Sequence, residues 1–333
     1  MADVLITTVP FAEKNHFPIE MLSGTTRSFQ INPFNRKLKE DELSKLIKGV
    51  KVLIAGTEPI TKKVLDAASD LKHISRVGVG LDNIDLNAAR KKGISVSYTP
   101  DAPGPAVAEL TIGLLISLLR NIHISNIEMH KKQWYRHFGP RIADITLGII
   151  GVGRIGGRVL RRVSAFGTPK ILVNDILPNL ALNKEFKLEW VAKDEIFQHS
   201  DVVSLHVPLT AETRGLVGAR ELNLMSRDSY IINTSRGGVV DENALYDALK
   251  EKKIAGAAID VFEEEPYDGK LSELASCILT SHMGSMSIDC RTRMEIEATE
   301  EAVRFLQGRK LQSIVPEEEY LLQKSLRSIK KTN

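Results

Sequence analysis

Residues 147–156 read LGIIGVGRIG, an apolar run entering a Gly-x-Gly-x-x-Gly turn, the spacing that cradles a pyrophosphate on backbone amides. Gly151 permits the tight turn, Gly153 lets backbone approach the phosphates, and Gly156 allows close packing of helix on strand. The amides of Arg154 and Ile155 fall at the start of the following helix, where the dipole favours an anion. Asp175 stands 24 residues after Gly151, at the end of the next apolar run, ILVND. A carboxylate there accepts both ribose hydroxyls and repels the 2′-phosphate of NADP. No arginine follows it, so the expected cofactor is NAD. Three later segments, NTSRGGVVDENAL (233–245), AAIDVFEEEP (257–266) and SHMGS (281–285), carry polar residues just after buried-looking strands. An open α/β sheet places its ligands at such strand ends, so Arg236, Glu265 and His282 can converge on one cleft.

The elements that must position these residues are readable from periodicity. VLIT (4–7), VLIAG (52–56), HISRVGVG (73–80) and ISVSY (94–98) read as strands, with helical spacing at 40–48, 61–69 and 87–92. Then TPDAPGP (99–105) concentrates three prolines and a glycine and reads as a linker. A long helix is expected from Ala106 to about Trp134. Its stripe of Val107, Leu110, Leu114, Leu115, Leu118 and Ile122 is either intrachain core or a dimer surface. A second series follows, LGIIG, ILVND, DVVSLHV, YIINT, AGAAID and CILTS, the six strands of a doubly wound nucleotide domain. The glycine turn ordinarily opens its own domain, so its place near mid-chain implies an inserted dinucleotide domain. One amphipathic helix, 287–307, is expected to pack back on the first domain, and the tail Leu326–Asn333 to be frayed.

Composition bounds the class. At 333 residues the chain has room for two cores, and a net charge of +3 argues for neither nucleic acid nor an anionic membrane as partner. The start lacks a signal-peptide pattern, and the longest apolar run, Leu110–Leu119, is too short to span a bilayer. Cys277 and Cys290 are the only cysteines, which suits a reducing compartment and a cytoplasmic location. His123, His130 and His137 lack a convincing ligand set, and no metal is expected.

Together with GVGLDNID (78–85), the glycine turn and the three later segments resemble the D-isomer-specific 2-hydroxyacid dehydrogenases, most closely their D-3-phosphoglycerate dehydrogenase branch. The likeness runs from about Val52 to Leu306. The implied fold class is α/β: two Rossmann-like or flavodoxin-like domains with parallel sheets, the nucleotide domain inserted into the other. Residues 1–101 and 286–333 would form the substrate-binding domain and residues 102–285 the NAD-binding domain. By the same resemblance His282 is the acid–base for hydride exchange between NAD(H) and a 2-hydroxy or 2-keto acid. Glu265 favours its imidazolium form, and Arg236 grips the carboxylate and carbonyl oxygens. The Gly78–Val79–Gly80 turn takes another carboxylate oxygen. Asp260 matches the residue that contacts the nicotinamide carboxamide, and His206, Val207, Thr234, Ser235 and Gly284 match positions along the cofactor cleft. Family members are dimers as a rule, so a homodimer is expected, with the long helix favoured as its surface.

Two departures stand out: Ser281 occupies the place where the family commonly has proline, which puts loop rigidity in question, and no C-terminal regulatory domain is expected. Arg76 either meets a substrate phosphate, which would suit 3-phosphoglycerate, or is an ordinary strand-end arginine. Glu265, where formate dehydrogenases carry glutamine, disfavours that branch. The competing readings are a hydroxypyruvate or glyoxylate reductase and an NAD-sensing corepressor-like binding protein of the same fold.

Overall fold

The computed structural model describes residues 2–329 apart from Arg27 and Thr168. The chain forms two compact units, Met1–Pro103 with Met286–Asn333, and Gly104–Ser285.

In the first unit β1 (Val4–Ile6), β2 (Phe29–Ile31), β3 (Val52–Ala55), β4 (His73–Arg76) and β5 (Ser95–Tyr98) form a parallel sheet ordered β2-β1-β3-β4-β5. Helices α1 (Phe17–Ser23), α2 (Glu40–Leu46), α3 (Lys62–Ala67) and α4 (Leu86–Lys91) supply the crossovers. Strands β1, β3 and β4 are buried along their whole length, the reason they read as continuous apolar runs. Thr61 and Asp85 cap α3 and α4 by accepting the amides of Val64 and Ala88.

The second unit contains α5 (Gly104–Leu119), α6 (Ile122–His130), β6 (Thr146–Ile150), α7 (Gly156–Ser164), β7 (Lys170–Asn174), β8 (Glu189–Trp190) and α8 (Lys193–His199). It continues through β9 (Val202–Leu205), α9 (Ala219–Leu224), β10 (Tyr230–Asn233), α10 (Glu242–Lys250), β11 (Gly256–Ile259) and β12 (Cys277–Leu279). The sheet is ordered β12-β11-β10-β9-β6-β7-β8, with every pairing parallel. Chain direction across the sheet reverses between β6 and β9, the topological switch point where such sheets bind ligands. Besides the six expected strands it contains β8, a two-residue edge strand too short to leave a periodic signal.

The long helix expected to Trp134 is instead two helices, bent by 65°. Asn121 adopts a left-handed φ of 51° at the break. The returning chain crosses the end of α5 so closely that a Cβ on Gly139 would lie 1.8 Å from the Leu119 carbonyl oxygen. Its stripe also has a different role from the favoured one. Leu114, Leu115 and Leu118 are buried against β6, α7 and their neighbours, and Val107 is buried beside Gly284, so α5 is intrachain core, while Ile122 on α6 is exposed. Among the described residues no single helix is long and apolar enough to cross a membrane.

The chain ends in two helices rather than one. Helix α11 (Ile288–Leu306) packs on β3, β4 and α1 of the first unit, and α12 (Glu317–Ile329) lies on α4. Three acidic residues in the first turn of α12 suit its dipole, and Gln323 ties it down by bonding the backbone at Leu81, Ile84 and Leu86. The expected frayed tail thus includes helical residues up to Ile329; residues 330–333 lie outside those described.

Candidate active site

In the inserted unit the glycine turn leaves β6, and its chain geometry is that of a cradle. Gly151 has φ +90°, and a Cβ on Gly156 would sit 2.0 Å from the Gly151 carbonyl oxygen, so only glycine lets α7 begin this close to β6. Above Gly153 a Cβ would meet nothing within 4 Å. Among the described residues the amides of Gly153, Ile155 and Gly156 find no acceptor. Open space and unsatisfied donors at a helix start are what a pyrophosphate requires, so the residues fit a dinucleotide.

Asp175 follows β7. Its Oδ2 accepts the Val152 amide at 2.7 Å and its Oδ1 the Leu177 amide at 3.0 Å, so the carboxylate is fixed against the glycine turn. His206 follows β9 and packs beneath the same turn, its carbonyl oxygen 2.6 Å from where a Gly151 Cβ would stand. Its Nε2 lies 2.9 Å from Ser204 Oγ, whereas Nδ1 is sealed from solvent and finds no hydrogen-bond partner among the described residues. Burial lowers this histidine to about 4, keeping the ring neutral. Val207 lines the turn through Cγ1.

The catalytic candidates leave the ends of β10, β11 and β12, three adjacent strands on the other side of the switch point. After β10, Asn233 clamps the turn: its Oδ1 accepts the Ser235 amide and hydroxyl, and its Nδ2 donates to the Arg236 carbonyl at 3.0 Å. Arg236 Nη1 donates to the Ser235 carbonyl. Thr234 is buried, with its hydroxyl 2.9 Å from that of Thr111 on α5. After β11 and β12, His282 Nδ1 lies 3.0 Å from both carboxylate oxygens of Glu265. That contact occupies Nδ1 and leaves Nε2 as the nitrogen available for proton transfer.

Asp260, at the end of β11, is 1% exposed. Its Oδ1 accepts the Thr280 hydroxyl and the Met283 amide, and its Oδ2 accepts the Gly284 amide. Burial raises this carboxyl above its ordinary value, while those three donors pull it the other way. Sequence reasoning overlooked Thr280, Thr111 and Asn233. A strand-end Asn whose side chain caps its own turn is a recognisable signal for the last.

In the first unit the turn after β4 carries Gly78, Val79 and Gly80. The Gly78 amide, expected to face a carboxylate, donates instead to Thr99 Oγ1 at 2.8 Å. Among the described residues the amides of Val79 and Gly80 find no acceptor. Arg76 is 6% exposed and lies under this turn, with Nε donating to the Gly80 carbonyl at 3.1 Å and Nη1 to that of Val77. Its guanidinium is engaged in holding the turn rather than presented outward.

The family model described as D-isomer specific 2-hydroxyacid dehydrogenase, NAD binding domain, matches residues 112–284. A D-3-phosphoglycerate dehydrogenase of Methanocaldococcus jannaschii is 39% identical over 284 residues, 84% of this chain but 54% of that protein. The chain therefore spans about half the length of that relative. A hydroxypyruvate reductase of Thermotoga maritima is 37% identical over 276 residues, 81% of this chain and 89% of that one. Among solved structures, a D-lactate dehydrogenase from Aquifex aeolicus complexed with NAD and lactic acid superposes with a TM-score of 0.82 at 30% identity, covering 92% of this chain and 96% of that chain.

Proposed function

The chain belongs to the D-isomer-specific 2-hydroxyacid dehydrogenase family, and on that premise we propose that it interconverts a 2-keto acid and its D-2-hydroxy acid with NAD(H). The observation that carries this reading is the Glu265-held imidazole of His282, in the unit whose glycine turn fits a dinucleotide. When bound, NADH supplies the hydride for the carbonyl carbon. His282 delivers a proton from Nε2 to the carbonyl oxygen in reduction and takes it back in oxidation. Arg236 holds the carboxylate and carbonyl oxygens on its forked donors and polarises the carbonyl. Asp260 retains one of about four lone-pair sites after its three bonds, enough to accept a carboxamide N–H. In the unit made from both chain ends, Val79 and Gly80 offer amides to a carboxylate, and that unit is the substrate-binding domain.

The engagement of Arg76 with loop carbonyls argues against direct phosphate recognition by that side chain. A small unphosphorylated acid, of the size of hydroxypyruvate or lactate, is the substrate class this favours. The working form is a cytoplasmic homodimer, supported by the apolar side chains of Trp134, Tyr135 and Phe138, which are 78%, 65% and 97% exposed. The test is a panel of 2-keto acids, phosphorylated and not, with NADH oxidation followed by absorbance. Turnover of at least one acid is expected. NADH binding without turnover of any would favour the corepressor-like alternative.

A further inference from the structure

His282 carries a backbone that needs explaining. Its φ is +53°, a left-handed conformation that a histidine holds only when its surroundings enforce it. The enforcement is visible on both sides of the residue. The His282 amide donates to the Asp260 carbonyl at 2.8 Å and to the Thr280 carbonyl at 3.0 Å. On the C-terminal side, the Met283 and Gly284 amides donate to Asp260 Oδ1 and Oδ2 at 2.8 and 2.9 Å. On the N-terminal side, Thr280 Oγ1 donates to Asp260 Oδ1 at 2.5 Å, the length of a charge-assisted bond. One carboxylate thus gathers the residues flanking His282. With serine at 281, no pyrrolidine ring limits this stretch, and among the described residues the Ser281 amide finds no acceptor.

We infer that the Thr280 hydroxyl and the Asp260 carboxylate form a latch that fixes the left-handed backbone of His282, which makes Thr280 a positioning residue for the acid–base. The inference rests on the proposed role of His282. Glu265 stands on a different segment, so its 3.0 Å contacts with Nδ1 require the His282 backbone to stay where the latch holds it. Among the described residues no hydrogen bond joins the Thr280 hydroxyl to Glu265 or the imidazole; it acts through Asp260 and the backbone.

Two substitutions separate the latch from packing: Thr280→Val keeps the shape and removes the hydroxyl, and Thr280→Ser keeps the hydroxyl. In 2-keto acid reduction, Thr280→Val is expected to lower kcat about ten-fold, the scale of a small misplacement of a catalytic group. The KM for NADH should stay within about two-fold and Thr280→Ser should retain near-normal kcat. A second readout needs no turnover. The imidazole ¹⁵N resonances of His282, identified by their loss in His282→Asn, should shift or broaden in Thr280→Val and stay in place in Thr280→Ser. If the unaltered protein reduces no 2-keto acid, the dehydrogenase reading fails while these resonances still judge the latch. Unchanged kcat and resonances in Thr280→Val would overturn the latch. So would equal losses in both variants, or a fall in NADH affinity and unfolding midpoint with the resonances unmoved.

Discussion

His282 and Glu265 meet through a single ring nitrogen, Nδ1, which lies 3.0 Å from each oxygen of the carboxylate. The symmetry has a chemical consequence. An acceptor-only carboxylate compels Nδ1 to carry a hydrogen, so the proton that the reaction exchanges sits on Nε2. Glu265 Oε1 also accepts the Phe262 amide at 3.2 Å, which orients the carboxylate from its own loop.

Glu265→Gln is therefore expected to damage chemistry and spare cofactor binding. A glutamine can turn its amide donor toward Nδ1 and stabilise the tautomer with hydrogen on Nε2 only in the neutral ring. The substitution also removes the carboxylate's negative charge from beside Nδ1. The kcat for reduction should fall on the order of 10²-fold or more, with the KM for NADH little changed. Steady-state kinetics decide it: an unaltered kcat would remove Glu265 from the mechanism.

Asp175 is expected to set the cofactor preference. Its oxygens are already anchored by the amides of Val152 and Leu177, so the carboxylate cannot swing aside to admit a 2′-phosphate. The next two side chains, Ile176 and Leu177, are 90% and 80% exposed and offer no cation to replace it. Asp175→Ala should narrow the NAD-over-NADP ratio of kcat/KM by about ten-fold or more, since a hydrogen bond to a charged group is worth roughly 1.5–3 kcal/mol. A ratio that stays the same would show that another residue discriminates.

The elements carrying the site were legible because buried parallel strands are near-continuous apolar runs, and each of the ten expected runs contains an observed strand. What stayed hidden depends on contacts far away in sequence. The edge strands β2 and β8 are too short and too exposed to show a pattern. The break at Asn121 comes from residues 138–139 crossing the end of α5, which no local periodicity reports. The choice between a phosphate contact and an ordinary strand-end arginine stayed open for Arg76, since nothing in HISRVGVG says that its guanidinium folds back under the turn. Thr280 was invisible for the same reason: its partner is 20 residues away.

That inward Arg76 leads to a prediction about substrate choice. Removing it by Arg76→Met should disorder the turn that presents the Val79 and Gly80 amides. The KM of every accepted 2-keto acid should rise, with a smaller change in kcat, and the unfolding midpoint should fall. Loss of charged hydrogen bonds to the Val77 and Gly80 carbonyls puts the cost at a few kcal/mol, by about 1.5–3 each. A loss confined to phosphorylated acids in the same substrate panel would instead make Arg76 a direct phosphate ligand.

Acid should weaken the first unit through a second histidine, His73. The ring is fully buried in β4, with Nδ1 2.9 Å from Ser95 Oγ, Nε2 3.2 Å from Ser97 Oγ, and its face stacked on Phe305 at 5.0 Å. Burial lowers it to about 4 from an ordinary value near 6.5. Between those values the unfolded chain binds a proton that the folded chain excludes, so stability is fully present above about pH 6.5 and is lost as pH falls toward 4. The total contributed by this ring is at most about 3 kcal/mol, from roughly 1.4 kcal/mol per unit. His73→Gln, which retains polar atoms for the two serines without a group that titrates here, should flatten the fall in urea-unfolding free energy between pH 7 and pH 5. His206, held low in the same way, leaves a residual slope that His73→Gln does not touch. If the variant and the unaltered protein lose the same stability over that interval, the acid sensitivity originates elsewhere than in His73.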